Sequence, residues 1–168
     1  MKPKKIIVFT SSTLSEPDPA FEKLDNMSLI PFDNPTFLDI TLEHLANKIV
    51  VFDDWESIKS KELSRHVEHL IRDLLERSRK LKTDIIIINH MTQNYTRTKP
   101  IIFECDTYYL NPSMNRNSTK KFLKEYMDLD EKSLKKIIEY EPTNAFTWLV
   151  ARKSAPQYLL YDDMVILL

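Results

Sequence analysis

The most unusual feature of this 168-residue chain is what it lacks, because it contains no glycine. Proteins contain about 7% glycine on average, so a chain of this length would ordinarily hold about a dozen. A glycine-rich phosphate-binding loop is therefore excluded within these residues. Any left-handed backbone position must be occupied by asparagine, aspartate or another residue with a Cβ atom, at a steric cost.

The chain also has only one cysteine, almost no net charge and no long apolar run. The single cysteine, Cys105, cannot form an internal disulfide, which is typical of a protein from a reducing compartment. The 24 Lys and Arg residues nearly balance 25 Asp and Glu residues, so nucleic-acid binding would need a local basic patch. No apolar run approaches the ~18 residues of a membrane span, and no signal-peptide pattern is present. We expect a soluble intracellular protein without a membrane partner.

Short apolar runs and one amphipathic segment dominate the first half of the chain. Strands are predicted at Lys4–Thr10, Ile49–Phe52 and Asp84–Asn89. Between the last two, apolar residues recur at spacings of three and four from Leu63 to Leu81, which predicts a helix. Strands that bracket an amphipathic helix indicate a β-α-β unit. The sequence therefore predicts an α/β fold with a mostly parallel sheet, covered by helices on both faces.

The remaining segments are mixed. A short helix is expected over Leu38–Ala46, whereas Thr92–Pro100 is polar and loop-like. Asn117 or Ser118 should cap a helix ending at Met127, and Asp130 should cap another over Glu131–Tyr140. A further strand is expected at Thr107–Leu110. We expect one domain over residues 1–168, with the same sheet completed by the C-terminal runs Phe146–Ala151, Tyr158–Tyr161 and Met164–Leu168.

The predicted strand at Ile49–Phe52 runs directly into acidic residues, Asp53, Asp54 and Glu56. Ligands of an open parallel sheet bind at the carboxyl ends of its strands, so these acids should lie near the end of the next strand. In nucleoside triphosphatases the first strand-end acid holds Mg²⁺, usually through water, and a second acid polarises the attacking water. Such acids also serve as turn formers or helix caps, so the motif alone leaves both interpretations open.

Several stretches, taken in order, carry a resemblance to a known family: KKIIVFTSSTLSEPDPAF, KIVVFDDWE followed by a long helix, ERSRKLKTDIIIINHMTQNYTRTKPIIFECDTYYLNP, STKKFLKEYMDLDEKSLKKII and FTWLVARKSAPQYLL. Together they resemble the genome-packaging ATPases of large DNA viruses and virophages, within the FtsK/HerA-like P-loop superfamily. The resemblance covers nearly the whole chain. It implies a P-loop NTPase core from which the P-loop strand is missing.

The resemblance also implies roles for individual residues. Asp53 would be the Mg²⁺-associated Walker B acid, and Asp54 the catalytic acid, with Glu56 as its substitute. His90 would occupy the polar sensor position, and Arg97 would act as an arginine finger in its own or a neighbouring subunit. Alternatively, His90 only caps the strand before it, and Arg97 is an exposed surface residue.

Substrate and partners follow from the same resemblance. The chain would use Mg²⁺ and ATP, form a homo-oligomeric ring, and contact double-stranded DNA and capsid proteins in the host cytoplasm, viral factory or virion. DNA phosphates would meet Thr96–Lys99 and Asn115–Lys121. Because this chain carries no P-loop, a preceding segment, a partner chain or a rearranged sheet must fill that place.

Two other functions stay open. One is a catalytically degenerate subunit that binds DNA or a partner without hydrolysing ATP. The other is a two-metal nuclease, in which Asp53, Asp54 and Glu56 would be the metal ligands.

Overall fold

A computed structural model describes residues 4–11, 26–89, 95–112, 116–140 and 147–168, with the backbone alone at 95–97. The chain divides into two compact units, Met1–Ile101 and Ile102–Leu168. The sequence predicted an ATPase-like domain spanning both, and that assignment stays a prediction. The mixed α/β class that the sequence predicted is confirmed.

The first unit is built on a four-stranded parallel sheet. Its strands are β1 (Lys5–Thr10), β2 (Met27–Pro31), β3 (Lys48–Asp53) and β4 (Asp84–Ile88), in the order β2-β1-β3-β4. The three strands expected from apolar runs are confirmed, and so is their parallel pairing. The sequence did not predict β2, because it is short and ends in a proline.

One long helix accompanies this sheet. Helix α2, which follows the short α1 (Leu42–Leu45), spans Lys61–Leu81 and buries the apolar stripe formed by Val67, Leu70, Ile71 and Leu74. The Oγ atom of Ser60 accepts a hydrogen bond from the amide of Leu63, which caps its first turn. The helix predicted between Leu63 and Leu81 is therefore confirmed.

The predicted helix over Leu38–Ala46 is wrong as a continuous element. A 3-10 helix covers Pro35–Asp39, and α1 begins only at Leu42. Between them, Ile40 and Thr41 are extended, with ψ angles of 121° and 167°. Thr41 caps α1, and an extended capping residue separates the two short helices.

Aromatic side chains form the core of the first unit. The ring of Phe9, on β1, lies 5.2 Å from Phe52 on β3, 5.1 Å from Phe37 in the 3-10 helix, and 6.5 Å from Phe32. Phe37 also meets the ring of His66 on α2 edge-on, at 5.8 Å. These contacts join the sheet, the 3-10 helix and α2 into one apolar core.

Strand β4 departs from the expectation of a sheet covered on both faces. Ile86 and Ile88 are 50% and 37% exposed, whereas Val51 and Phe52 on the neighbouring strand are buried. No strand pairs with the other edge of β4 in the part of the chain that the structure describes. A run of four isoleucines between Asp84 and Asn89 predicts a fully buried strand, so the sequence pattern misses this exposed edge.

The second unit contains a separate antiparallel sheet. Its strands β5 (Thr107–Leu110), β6 (Leu149–Arg152), β7 (Tyr158–Tyr161) and β8 (Met164–Leu167) pair in chain order. The expectation that the C-terminal strands complete the parallel sheet is therefore wrong. Strands β6, β7 and β8 are close in sequence and pair without a crossover helix, which favours their antiparallel arrangement, whereas α4 and α5 lie between β5 and β6.

Helices account for the rest of the second unit and for the boundary between the units. Helix α3 (Tyr95–Glu104) contains that boundary, and α4 (Arg116–Tyr126) and α5 (Glu131–Glu139) follow. The loop predicted at Thr92–Pro100 is wrong from Tyr95 onward, since those residues are helical. The cap at Asp130 is confirmed, because its Oδ1 atom accepts a hydrogen bond of 2.6 Å from the amide of Ser133.

Left-handed backbone positions are filled as the absence of glycine requires. Positive φ angles occur, among the described residues, at Asn26, Asn47, Asp54, Lys82, Asp128 and Asp162. Asparagine and aspartate tolerate this region best among residues with a Cβ atom, and they occupy all these positions except that of Lys82. Lys82 ends α2, where glycine is the usual residue.

We expect Lys82→Gly to raise the free energy of unfolding by about 1 kcal/mol, because it removes the Cβ clash at a φ of 55°. Urea denaturation of the full chain measures this change. The matched control is Lys80→Gly, inside the last turn of α2, which should lower stability by about 1 kcal/mol. Equal losses for both variants would contradict the left-handed cap.

Candidate functional site

The carboxyl ends of β1 and β3 bring a hydroxyl and a carboxylate together. In the parallel pairing, Thr10 lies opposite Asp53, and Asp53 lies opposite Ile88 on β4. The Oγ1 atom of Thr10 donates a hydrogen bond of 2.9 Å to Oδ2 of Asp53. Thr10 is fully buried and Asp53 is half-buried, so the carboxylate stands at the border between core and solvent.

The backbone of the next acid, Asp54, is held by two serine hydroxyls. Its carbonyl oxygen accepts hydrogen bonds from Oγ of Ser11 and Oγ of Ser57, each at 2.8 Å. The two hydroxyl oxygens lie 2.6 Å apart. Asp54 itself adopts a left-handed conformation, with φ 51° and ψ 31°. The chain thus turns sharply after β3 and is fixed in that turn from the end of β1.

A buried tryptophan connects this turn to the end of β4. Trp55 begins the 3-10 helix Trp55–Ser57 and is fully buried. Its Nε1 atom donates a hydrogen bond of 2.7 Å to Oδ1 of Asn89, the residue that follows β4. The turn after β3 is therefore tied to both neighbouring strands, to β1 through Thr10 and Ser11 and to β4 through Asn89.

The structure brings together part of the predicted site. Asp53, Asp54 and Glu56 lie at and just after the end of β3, and Trp55 between them is bonded to Asn89 at the end of β4, as the sheet rule predicts. His90 lies outside the described residues. Arg97 lies in α3, but its side chain is also outside the description, so the roles of both residues remain predictions.

Sequence reasoning did not find Thr10, Ser11 or Trp55 as members of this site. Thr10 ends a predicted strand and Ser11 follows it, so applying the strand-end rule to that strand as well would have found them. No pattern in the sequence predicts the hydrogen bond between Trp55 and Asn89, because it depends on the turn of the backbone at Asp54.

Asp53 could take part in a Mg²⁺ site that other groups complete. Among the described residues, no group of three or more His, Cys, Asp or Glu side chains could hold a metal ion. Mg²⁺ keeps several waters and is commonly bound through one or two carboxylates and the phosphates of a substrate. Asp53, with one oxygen bonded to Thr10, could contribute its other oxygen to such an arrangement.

The segments expected to contact DNA lie on helices rather than loops. Thr96–Lys99 falls in α3, and the described part of Asn115–Lys121 is the start of α4. There Arg116, Lys120 and Lys121 are exposed, whereas Ser118 and Thr119 are buried. On α4, Lys124 donates a 2.6 Å hydrogen bond to Oε1 of Glu131, which lowers the pKa of that carboxyl. The basic charge of this face is therefore partly neutralised within the chain.

Cys105 does not offer a competing nucleophilic site. It is partly buried, and desolvation raises the pKa of its thiol above the ordinary value. A thiol in that state is protonated at neutral pH and is a poor nucleophile.

The chain is similar in sequence to a viral protein. No protein-family model matches the sequence, and no solved structure matches it. The chain is 24% identical over 136 residues to uncharacterized protein V3 of Sputnik virophage. The match covers 80% of this chain and 54% of that protein, so the chain spans about half the length of this relative. None of the described helices is long and apolar enough to cross a membrane.

We expect Trp55→Phe to lower the free energy of unfolding by about 2 kcal/mol, because it leaves a gap in the core and removes the hydrogen bond to Asn89. Denaturant titration of the full chain measures this loss. Trp148, which is 53% exposed, provides the matched control: Trp148→Phe should change stability by no more than about 0.5 kcal/mol. A double-mutant cycle with Asn89→Ala should show a coupling of about 1 kcal/mol, and no coupling would contradict the bond.

Proposed function

We propose that this chain is the catalytic part of a viral DNA-packaging ATPase that uses Mg²⁺ and ATP. The observation that carries the proposal is the placement of Asp53 and Asp54. They follow a buried strand of a parallel sheet, at the edge where such sheets bind ligands. Thr10, Ser11 and Trp55 hold the turn that contains them.

The two acids would have different tasks. A Mg²⁺ ion bound to ATP neutralises charge on the phosphates. Asp53 would hold a water of that ion, and Asp54 would accept a proton from the attacking water, with Glu56 as its substitute. His90 would contact the γ-phosphate, and Arg97 would stabilise charge from its own or a neighbouring subunit.

The exposed edge of β4 also supports the proposal. Strands of a parallel sheet are normally covered on both faces, but Ile86 and Ile88 of the edge strand β4 are partly exposed. A strand that leads into a phosphate-binding loop could pair with the backbone of β4 and pack against these isoleucines. Since this chain has no glycine, that strand and loop must come from other residues.

Partners and location follow as part of the same proposal. The similarity to a virophage protein supports a viral origin. Double-stranded DNA, a homo-oligomeric ring and capsid proteins are the partners such an ATPase would need, in the host cytoplasm, the viral factory or the virion. DNA would be held through its phosphates by Lys and Arg side chains on α3 and α4.

A catalytically degenerate subunit is the second candidate. It is favoured by the absence of glycine, because this chain by itself has no amide cradle for the β- and γ-phosphates. Such a subunit would bind duplex DNA or a partner without hydrolysing ATP. A two-metal nuclease is less well supported, since the described residues contain no group of three acidic or histidine ligands around one point.

The test supplies a phosphate-binding loop, either fused upstream of Met1 or carried by a separate protein that is mixed with this chain. We expect Mg²⁺-dependent phosphate release from ATP. Asp54→Asn should lower the rate by about 10²- to 10⁴-fold, the range for loss of a general base. Asp73→Asn, an exposed acid in the middle of α2, is the matched control and should leave the rate unchanged.

The alternatives give different results in the same preparation. Phosphate release that is insensitive to Asp54→Asn would reject the assigned role of that acid. No ATP hydrolysis under either arrangement, combined with salt-sensitive binding of a DNA duplex, would support the degenerate subunit. Divalent-dependent DNA cleavage without nucleotide would support the nuclease.

A further inference from the structure

Thr10 contacts the carboxylate of Asp53 from the buried end of β1. Its side chain is fully buried, and its Oγ1 atom donates to Oδ2 of Asp53 at 2.9 Å. Within the described ranges, no other hydrogen bond reaches that carboxylate. We propose that Thr10 is a positioning residue that holds one oxygen of Asp53 and leaves the other, Oδ1, for a magnesium-bound water. This inference rests on the proposed function.

The backbone of Asp53 is fixed independently of the Thr10 side chain. Asp53 is the last residue of β3 and is paired with Thr10 on one side and Ile88 on the other. The carbonyl of the following residue is bonded to Ser11 and Ser57. The remaining freedom is rotation of the carboxylate, a torsion with a broad energy profile. The hydrogen bond from Thr10 selects one orientation from that range.

The hydrogen bond reaches Asp53 from the core. Thr10 is fully buried, so its hydroxyl approaches Oδ2 of the half-buried Asp53 from the interior rather than from solvent. A hydrogen bond to an ionised carboxylate is stronger than one between neutral groups. Partners of this kind orient metal-binding carboxylates, and their loss typically costs about 10- to 100-fold in metal affinity.

A purely structural role predicts a different result. If Thr10 only fills the end of β1, then Thr10→Val, which keeps the shape and removes the donor, should change stability and leave cation binding to Asp53 as it was. If Thr10 positions the carboxylate, cation binding should weaken in Thr10→Val and return in Thr10→Ser. The two roles are therefore separated by a measurement of cation binding that does not require ATP hydrolysis.

The experiment is a titration of the ¹⁵N-labelled full chain with Mn²⁺, followed by two-dimensional NMR. Mn²⁺ near Asp53 broadens the amide resonances of Asp53 and Asp54 at lower concentrations than those of Lys48 and Asp84. The latter begin β3 and β4, about 16 Å away at 3.3 Å per residue. We expect Thr10→Val to need about tenfold more Mn²⁺ for the same broadening, and Thr10→Ser to match the unmodified chain.

Two controls make the comparison specific. Thr36→Val makes the same chemical change in the 3-10 helix Pro35–Asp39, where Thr36 is exposed, and should not alter the titration. Asp53→Asn should abolish the selective broadening. If Thr10→Val does not give a dispersed spectrum, Thr10→Ala removes the hydroxyl without adding a methyl group and replaces it in the comparison.

Each outcome supports or overturns the inference. Tenfold weaker binding in Thr10→Val with recovery in Thr10→Ser supports it. Equal titrations for Thr10→Val and the unmodified chain, with loss only in Asp53→Asn, overturn the role of Thr10 but leave the proposed magnesium site. No selective broadening in the unmodified chain overturns the inference that Thr10 prepares Asp53 for a cation, and leaves the ATPase proposal to the phosphate-release test.

Discussion

The in-register parallel pairing of β1 with β3 is the constraint on which the candidate site depends. It places Thr10 beside Asp53 and lets Ser11 reach the carbonyl of Asp54. Side chains alternate between the faces of a strand, so a shift of one residue would move Thr10 to the opposite face and separate the hydroxyl from the acid. The buried rings of Phe9 and Phe52, which lie opposite each other on the same two strands, favour this register because a shift would also separate them. Core packing and site geometry are thus set by the same pairing.

Because the chain has no glycine, a residue with a Cβ atom occupies the left-handed position in the turn after β3. Left-handed backbone costs a residue with a Cβ atom about 1–2 kcal/mol, and Asp54 adopts it between the strand and a short 3-10 helix. Bonds from Ser11 and Ser57 to its carbonyl help offset that cost. Asn26 and Asn47 precede β2 and β3 in the same conformation, at the opposite ends of strands from the acids. The left-handed conformation of Asp54 therefore recurs elsewhere in this chain, and what distinguishes Asp54 is its place directly after the buried strand β3.

The first unit was predictable from the sequence to the extent that its elements are long or strongly patterned. Helix α2 and strands β1, β3 and β4 follow from periodicity and apolar runs, and the clustering of Asp53, Asp54 and Glu56 near Asn89 follows from the rule for parallel strand ends. The second unit was not predictable in the same way. The sequence predicts strands near Tyr158–Tyr161 and Met164–Leu167, but the residues of a four-residue strand do not indicate which sheet the strand joins. Hydrogen bonds such as that of Trp55 with Asn89 depend on the geometry of a turn, which the periodicity of apolar residues does not predict.

Strand β4 links the exposed edge of the sheet to the candidate site. Its last residue, Ile88, lies opposite Asp53, and the next residue, Asn89, accepts a hydrogen bond from Trp55. A further strand pairing in parallel with β4 would end at the same edge of the sheet, because the carboxyl ends of parallel strands align. A loop leaving that strand would then begin next to Asn89 and one strand away from Asp53. In the proposed ATPase, residues outside this chain would supply the phosphate-binding loop there, and the acids held by Thr10, Ser11 and Trp55 would face the phosphates across β4.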